Sequence, residues 1–405
     1  EDSIDQQIQA LDKQWGDDIF NHANMRSQDK KLVTYFTTVF LTGDVSTTNN
    51  RNEKYRIYLS DYLKEQEEYD SNKIHRDFNI FQVCFELIKI LKLPLQRREA
   101  ESLVAEYDTN STDFKKAMFF LNALKQDGVI SGLVNFLLKS ISKFNPSFET
   151  KFSCNFIKLL LDKNYQDENT IKEYLPRLDS KELGKVKESL IKIQKQSKSF
   201  WITSLMSPNA EAPRDLAKMI IKNNNISEST NDLEVIMPLY DKFDLKSKFT
   251  EWLKQWNYEK DHIFKIKTLF ARLLKFDLQE GQLIDTPVKM TIDESQIRSL
   301  DLDHLVAINL GDDGIFSFDN EDRDLYIHSL GNMMPLPKKE NIQKSDYPLE
   351  ESLKYYELSG LTKHFLLDEI KELLKAVNNS EINQLTFFSK RKEDLINYFN
   401  EIVIR

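Results

Sequence analysis

Apolar residues in the first 280 positions recur at steps of three and four, and this periodicity commits that part of the chain to helices. Ile4, Ile8, Leu11, Trp15 and Ile19 form one stripe, and Leu32, Tyr35, Phe36, Val39 and Phe40 form a second. A third segment, 76–93, is apolar around most of its circumference, with Phe78, Phe81, Val83, Cys84, Phe85 and Leu91, which marks a helix central to a core. Further helices are predicted near 98–107, 111–126, 130–143, 150–163, 180–197, 213–223, 244–256 and 260–276. Ser111-Thr112-Asp113 and Asp179-Ser180-Lys181-Glu182 are helix start signals, the second in the capping-box pattern. Ten Gly and ten Pro in 405 residues are too few turn formers for a β-sandwich. Phe119, Phe120, Trp252 and Trp256 sit at helical spacing and read as core rather than as base-stacking groups. No fixed repeat period holds, so the region is an irregular multi-helix domain, with a polar stretch at 223–231 that divides it into two lobes.

Charge supplies a boundary. The net charge is −9, and residues 281–405 hold 23 acidic against 14 basic side chains, so the whole excess lies there. The helical pattern changes at the same place, which puts a helical domain at 1–281 and a second domain at 282–405. Cys84 and Cys154 lie in apolar helical patterns and form no C-x-x-C pair, which excludes a cysteine zinc site and reads as inert thiols in a reducing cytoplasm. No apolar run approaches the ~18 residues of a membrane span. The amino terminus, Glu1-Asp2-Ser3, has neither an initiator Met nor a signal-peptide layout and reads as part of a longer chain.

After residue 282 Val288, Met290 and Ile292 alternate with polar residues as a short strand would. An acidic loop follows later, with Asp312, Asp313, Asp319, Glu321, Asp322 and Asp324, and reads as solvated. Helices are predicted near 349–358, 362–376 and 387–402. The informative stretches are Leu300-Asp301-Leu302-Asp303-His304-Leu305-Val306, then Gly331-Asn332-Met333-Met334-Pro335-Leu336, then Lys339-Glu340-Asn341-Ile342-Gln343-Lys344. They order a strand-borne Asp-His, an Asn at a turn and, after eight intervening residues, an Asn on a helix.

This order and spacing resemble the HNH (ββα-metal) nucleases, in which the last His is often an Asn. The segment is also similar to the C-terminal nuclease domain of GmrSD-type restriction proteins, with Tyr355-Tyr356-Glu357-Leu358-Ser359 and Phe388-Ser389-Lys390-Arg391-Lys392 as later matches. The resemblance covers about 285–405, and residues 1–95 more weakly resemble the helical tail that follows the nucleotide-sensing domain in those proteins. It implies a mainly α fold: the irregular multi-helix domain followed by a small α+β HNH domain with C-terminal helices.

What the resemblance implies for chemistry can be stated residue by residue. Phosphodiester hydrolysis needs a base to activate water and positive charge at the leaving oxygen. His304 is the candidate base, since imidazole titrates near neutrality. Asp303 and Asn341 are the expected ligands of Mg²⁺ or Mn²⁺, which prefer oxygen donors. Asn332, grouped with His304 as catalytic, is expected to brace the loop and orient the His304 ring. Lys338, Lys339 and Lys344 on the Asn341 helix, and the run Lys390, Arg391 and Lys392, are expected to face DNA, with Arg391 gripping a phosphate. His328, four residues before Asn332, can support the site. His22, His75, His262 and His364 lack ligand spacing and read as structural.

One departure from the family pattern is Ala307, where Pro is common three residues after the His. The Asp-Gly-Gln-Gln-Arg signature of the nucleotide-sensing domain is absent, so that domain is expected on another segment or subunit. The expected function is cleavage or nicking of phage or other foreign DNA in a modification-dependent restriction system. The alternatives are a non-catalytic helical interaction or DNA-binding module on a decayed nuclease fold, and an HNH nuclease that cuts RNA.

Overall fold

The computed structural model describes residues 27–43, 71–94, 111–222, 242–261, 263–285, 300–308, 316, 323, 325–358 and 364–404. Among them are fourteen α-helices and two two-stranded sheets, so the protein is mainly α with a small α+β part. The stripe at 4–19, the helix at 98–107, the split at 223–231, the strand at 288–292, the acidic loop, His22 and His262 lie outside the described residues. No described helix is long and apolar enough to cross a membrane.

The chain forms two compact units. In the first, α1 (Ser27–Thr42) packs on α2 (Ser71–Leu91), the helix whose apolar circumference predicts a central place. Phe81, Val83, Cys84 and Leu87 in it are fully enclosed, and burial pushes the Cys84 thiol up to about 12. Four more helices follow: α3 (Asp113–Ala123), α4 (Asp127–Ser142), α5 (Thr150–Leu160) and α6 (Glu168–Tyr174). The long α7 (Ser180–Met206) and α8 (Glu211–Lys222) complete the run. Helix α4 is apolar on nearly every face and packs closely on α8. A Cβ added to Gly132 would lie 2.6 Å from the Ala217 Cβ, so glycine sets how near these two helices come. The capping box forms as its sequence predicts: the Asp179 amide donates to Glu182 Oε2 at 3.1 Å, and the Glu182 amide donates to Asp179 Oδ1 at 2.8 Å. At the start of α3 the free amide of Phe114 is instead satisfied by Gln194 Oε1 at 2.8 Å, a partner 80 residues away that no local pattern reveals.

The second unit contains α9 (Leu245–Gln255) and α10 (Ile263–Leu273), and so begins ahead of the charge shift at residue 282. Helix α10 is the reason. Every residue from Phe264 to Leu273 is buried, and it lies against the strands that follow. A hairpin of β1 (Phe276–Gln279) and β2 (Gln282–Asp285) turns through Glu280 and Gly281, both at positive φ. Positive φ at both central residues matches the right-handed twist of the flanking strands.

The second sheet pairs β3 (Leu300–His304) with β4 (Met333–Pro337), antiparallel, with His304 opposite Met333 and Leu300 opposite Pro337. A single 3₁₀ turn (Leu330–Asn332) leads into β4, and α11 (Lys338–Lys344) starts where β4 ends. Strand, strand and helix thus follow one another as a ββα unit. Three helices close the chain: α12 (Leu349–Leu358), α13 (Phe365–Asn378) and α14 (Gln384–Ile402). Helix α14 covers the 3₁₀ turn so tightly that a Cβ on Gly331 would lie 2.2 Å from the Phe388 carbonyl oxygen.

Candidate active site

Side chains converge at the C-terminal end of β3. The Asp303 carboxylate is 7% exposed and accepts a hydrogen bond from the Tyr356 hydroxyl of α12. Lys344 of α11, 1% exposed, sets its Nζ 3.2 Å from Asp303 Oδ2 and 3.4 Å from Oδ1, and donates to the His304 carbonyl at 2.8 Å. Burial raises the Asp303 pKa, and the Lys344 ammonium and the Tyr356 hydrogen bond oppose that rise.

His304 sits beside this cluster, 8% exposed. Its ring meets Tyr258 edge-on at 4.6 Å and His328 edge-on at 5.5 Å between centroids. Burial, assisted by His328 and then Lys344, lowers its pKa to about 4, so the ring is neutral at physiological pH. Its Nε2 is buried and has no hydrogen-bond partner among the described residues. An enclosed, neutral, unpaired imidazole nitrogen is costly to keep unless something arrives to use it. His328 is held from the other side: its carbonyl accepts from the Tyr258 amide at 2.9 Å, and its Nε2 lies 3.4 Å from Glu259 Oε1.

Asn332 is fully enclosed and spends its amide on main chain. Oδ1 accepts from the Val306 amide at 2.9 Å, while Nδ2 donates to the carbonyls of Val306 at 3.0 Å and Ile327 at 2.7 Å. The Asn332 carbonyl also accepts from the Leu305 amide at 2.8 Å. Asn332 therefore pins the chain just after His304 and reaches no ring nitrogen. These bonds brace the loop, and none of them reaches the His304 ring.

Residues 240–398 match the family described as GmrSD restriction endonucleases, C-terminal domain. That stretch is similar to a GmrSD-type C-terminal domain. No curated protein and no solved structure matches the chain. The matched range includes every residue of the cluster above, from Tyr258 to Tyr356.

Within the GmrSD-type domain three expectations need correction. Asp303 does not fit the role of a metal ligand in this arrangement, because an ammonium already faces both its oxygens and a hydroxyl donates to one of them. Among the described residues no group of three His, Cys, Asp or Glu is placed to hold a metal ion. Lys344 is likewise not a DNA contact, since it is enclosed and committed to Asp303 and the β3 terminus. Arg391 does not face solvent either. It is 1% exposed, donates from Nη2 to the Met333 carbonyl at 2.8 Å, and has its pKa lowered to about 10 by burial.

The remaining residues make no contact with the Asp303 carboxylate or the His304 ring among the contacts of the described residues. Lys338, Lys339 and Lys390 are exposed, and Lys392 is half-buried with Nζ 3.3 Å from the Lys254 carbonyl. Asn341 is half-buried on α11, three residues before Lys344 and so on a neighbouring part of the same helix face. Tyr258 and Glu259 are the contributors that sequence reasoning missed. They lie in a loop between two helices, 46 and 45 positions before His304, where no periodicity or motif marks them.

Proposed function

We propose that the GmrSD-type domain is a DNA endonuclease whose water-activating base is His304. The observation that carries this reading is the His304 imidazole: neutral, fixed at a strand end, with an unpaired Nε2. A base must be unprotonated and aimed to take a proton from water, and burial meets the first requirement at neutral pH. Asn332 fixes the chain beside the ring, and Tyr258 and His328 limit where the ring can turn. Exposed Lys338 and Lys339 on the first turn of α11, at the Leu300 end of β3, supply positive charge for backbone phosphates. The further proposal is that the substrate is foreign DNA in a modification-dependent restriction system, which rests on the family alone.

Plasmid DNA incubated with the chain in Mg²⁺, Mn²⁺ and EDTA buffers tests the assignment. Cleavage in any of the three should fall at least 10²-fold in His304→Ala, with DNA affinity kept. Undiminished cleavage by the variant overturns the role of His304. A second reading, a nuclease fold that binds DNA without cutting it, draws on the Lys344–Asp303 pair. DNA binding without cleavage in all three buffers would select that reading.

A further inference from the structure

The pair at the end of β3 has a geometry that ordinary surface ion pairs lack. The Lys344 Nζ is surrounded by oxygen: Asp303 Oδ2 at 3.2 Å, Asp303 Oδ1 at 3.4 Å and the His304 carbonyl at 2.8 Å. Both partners are buried, at 1% and 7% exposure. Tyr356, fully enclosed, adds its hydroxyl at the same carboxylate. A carboxylate and a main-chain carbonyl converging on one point are the donors a hard divalent ion selects. Here that point holds a side-chain ammonium. Two cations cannot share it, because like charges a few ångströms apart in a desolvated site repel strongly.

We propose that the Lys344 ammonium is the resident cation of this site and closes Asp303 to divalent ions, so that removing its charge opens a metal site made of oxygen donors. The inference deepens the nuclease reading by stating what controls cation entry beside His304. Its test does not depend on that reading, because binding is measured without DNA. Lys344→Met keeps the length of the stem and removes the charge, leaving the Asp303 carboxylate and the His304 carbonyl facing the vacated point.

Mn²⁺ binding to the purified full chain, followed by the electron paramagnetic resonance of free Mn²⁺ and by calorimetry, reads the result. The parent chain should bind Mn²⁺ no more tightly than Asp303→Asn. Lys344→Met should gain a site at least tenfold tighter, and the double variant Lys344→Met/Asp303→Asn should lose it. Circular dichroism checks that each variant is folded, and Lys344→Gln, which is also uncharged, is read in the same way if the methionine variant does not fold. A parent chain with an Asp303-dependent Mn²⁺ site overturns the proposal. So does an uncharged variant, folded, that gains none. Plasmid cleavage measured on the same preparations keeps the two readings separate: a nuclease that cuts with His304 dependence while binding Mn²⁺ at Asp303 fails this inference alone.

Discussion

Asn332 shows how much one side chain can hold when every polar atom is used. Its amide makes three hydrogen bonds to main chain on two segments, the turn after β3 and the residues before the 3₁₀ turn. Removing it leaves one buried amide hydrogen and two buried carbonyls without partners, each costing on the order of 1–3 kcal/mol. Asn332→Ala should therefore destabilise the second unit by roughly 3–5 kcal/mol, seen as a lower urea midpoint at nearly unchanged slope. A loss below about 1 kcal/mol would mean that the loop holds itself. Arg391 is the opposite lesson. The run Lys390-Arg391-Lys392 looks like a solvated helix face, but Phe388, Arg391, Leu395, Phe399 and Ile402 recur at three and four, and all five are buried. The stripe was legible and the charge hid it. A guanidinium can be enclosed when a donor finds an acceptor, as Nη2 does at the Met333 carbonyl, and carboxylates lie near, as Glu369 and Asp394 do.

At the scale of elements, the ββα unit depends on how closely α14 can lie over the 3₁₀ turn. Gly331 is where backbone meets backbone, so an added methyl has no flexible side chain to push aside. Gly331→Ala should cost about 3 kcal/mol by overpacking, measured by chemical denaturation, and should reduce any cleavage because the same turn carries Asn332. Unchanged stability would show that α14 can retreat without loss. The helices were readable because an apolar face must be buried, and burial imposes the three-and-four spacing seen in α2, α13 and α14. The β1–β2 hairpin was missed because four-residue strands are too short for an alternation to stand out, and its first residues continue the apolar end of α10. The site was legible only in part. Asp303, His304 and Asn332 declare themselves by order and spacing, whereas Tyr258, Lys344 and Tyr356 act through tertiary contacts with partners 46, 41 and 53 residues away. The charge of Lys344 is plain in the sequence, and the structure pairs it with Asp303.

For the whole molecule, charge and stability pull in different directions as pH falls. The excess of acids over bases in residues 281–405 opposes a polyanion, so partial protonation favours DNA approach. The same acid destabilises the fold through histidines whose pKa burial lowers. His364 caps α13, its Nδ1 accepting from the Leu366 amide at 3.3 Å, and burial lowers its pKa to about 4 against an ordinary value of 6.5. The unfolded chain then binds a proton that the folded chain refuses, so stability rises with pH across this window. The contribution is complete above pH 6.5 and is lost as pH falls toward 4. Asp303, whose pKa is raised by burial, acts with the opposite sign, and His304 with the same sign as His364, so the raw curve mixes several groups. His364→Asn separates them: asparagine still caps a helix and does not titrate in this range. Between pH 7 and pH 4 the parent chain should lose about 3 kcal/mol more than this variant, as expected for a displacement of two to three pKa units. Urea denaturation of both chains at each pH measures the difference. Parallel curves would show that the imidazole is protonated in the folded state and that α13 keeps its cap in acid by another acceptor.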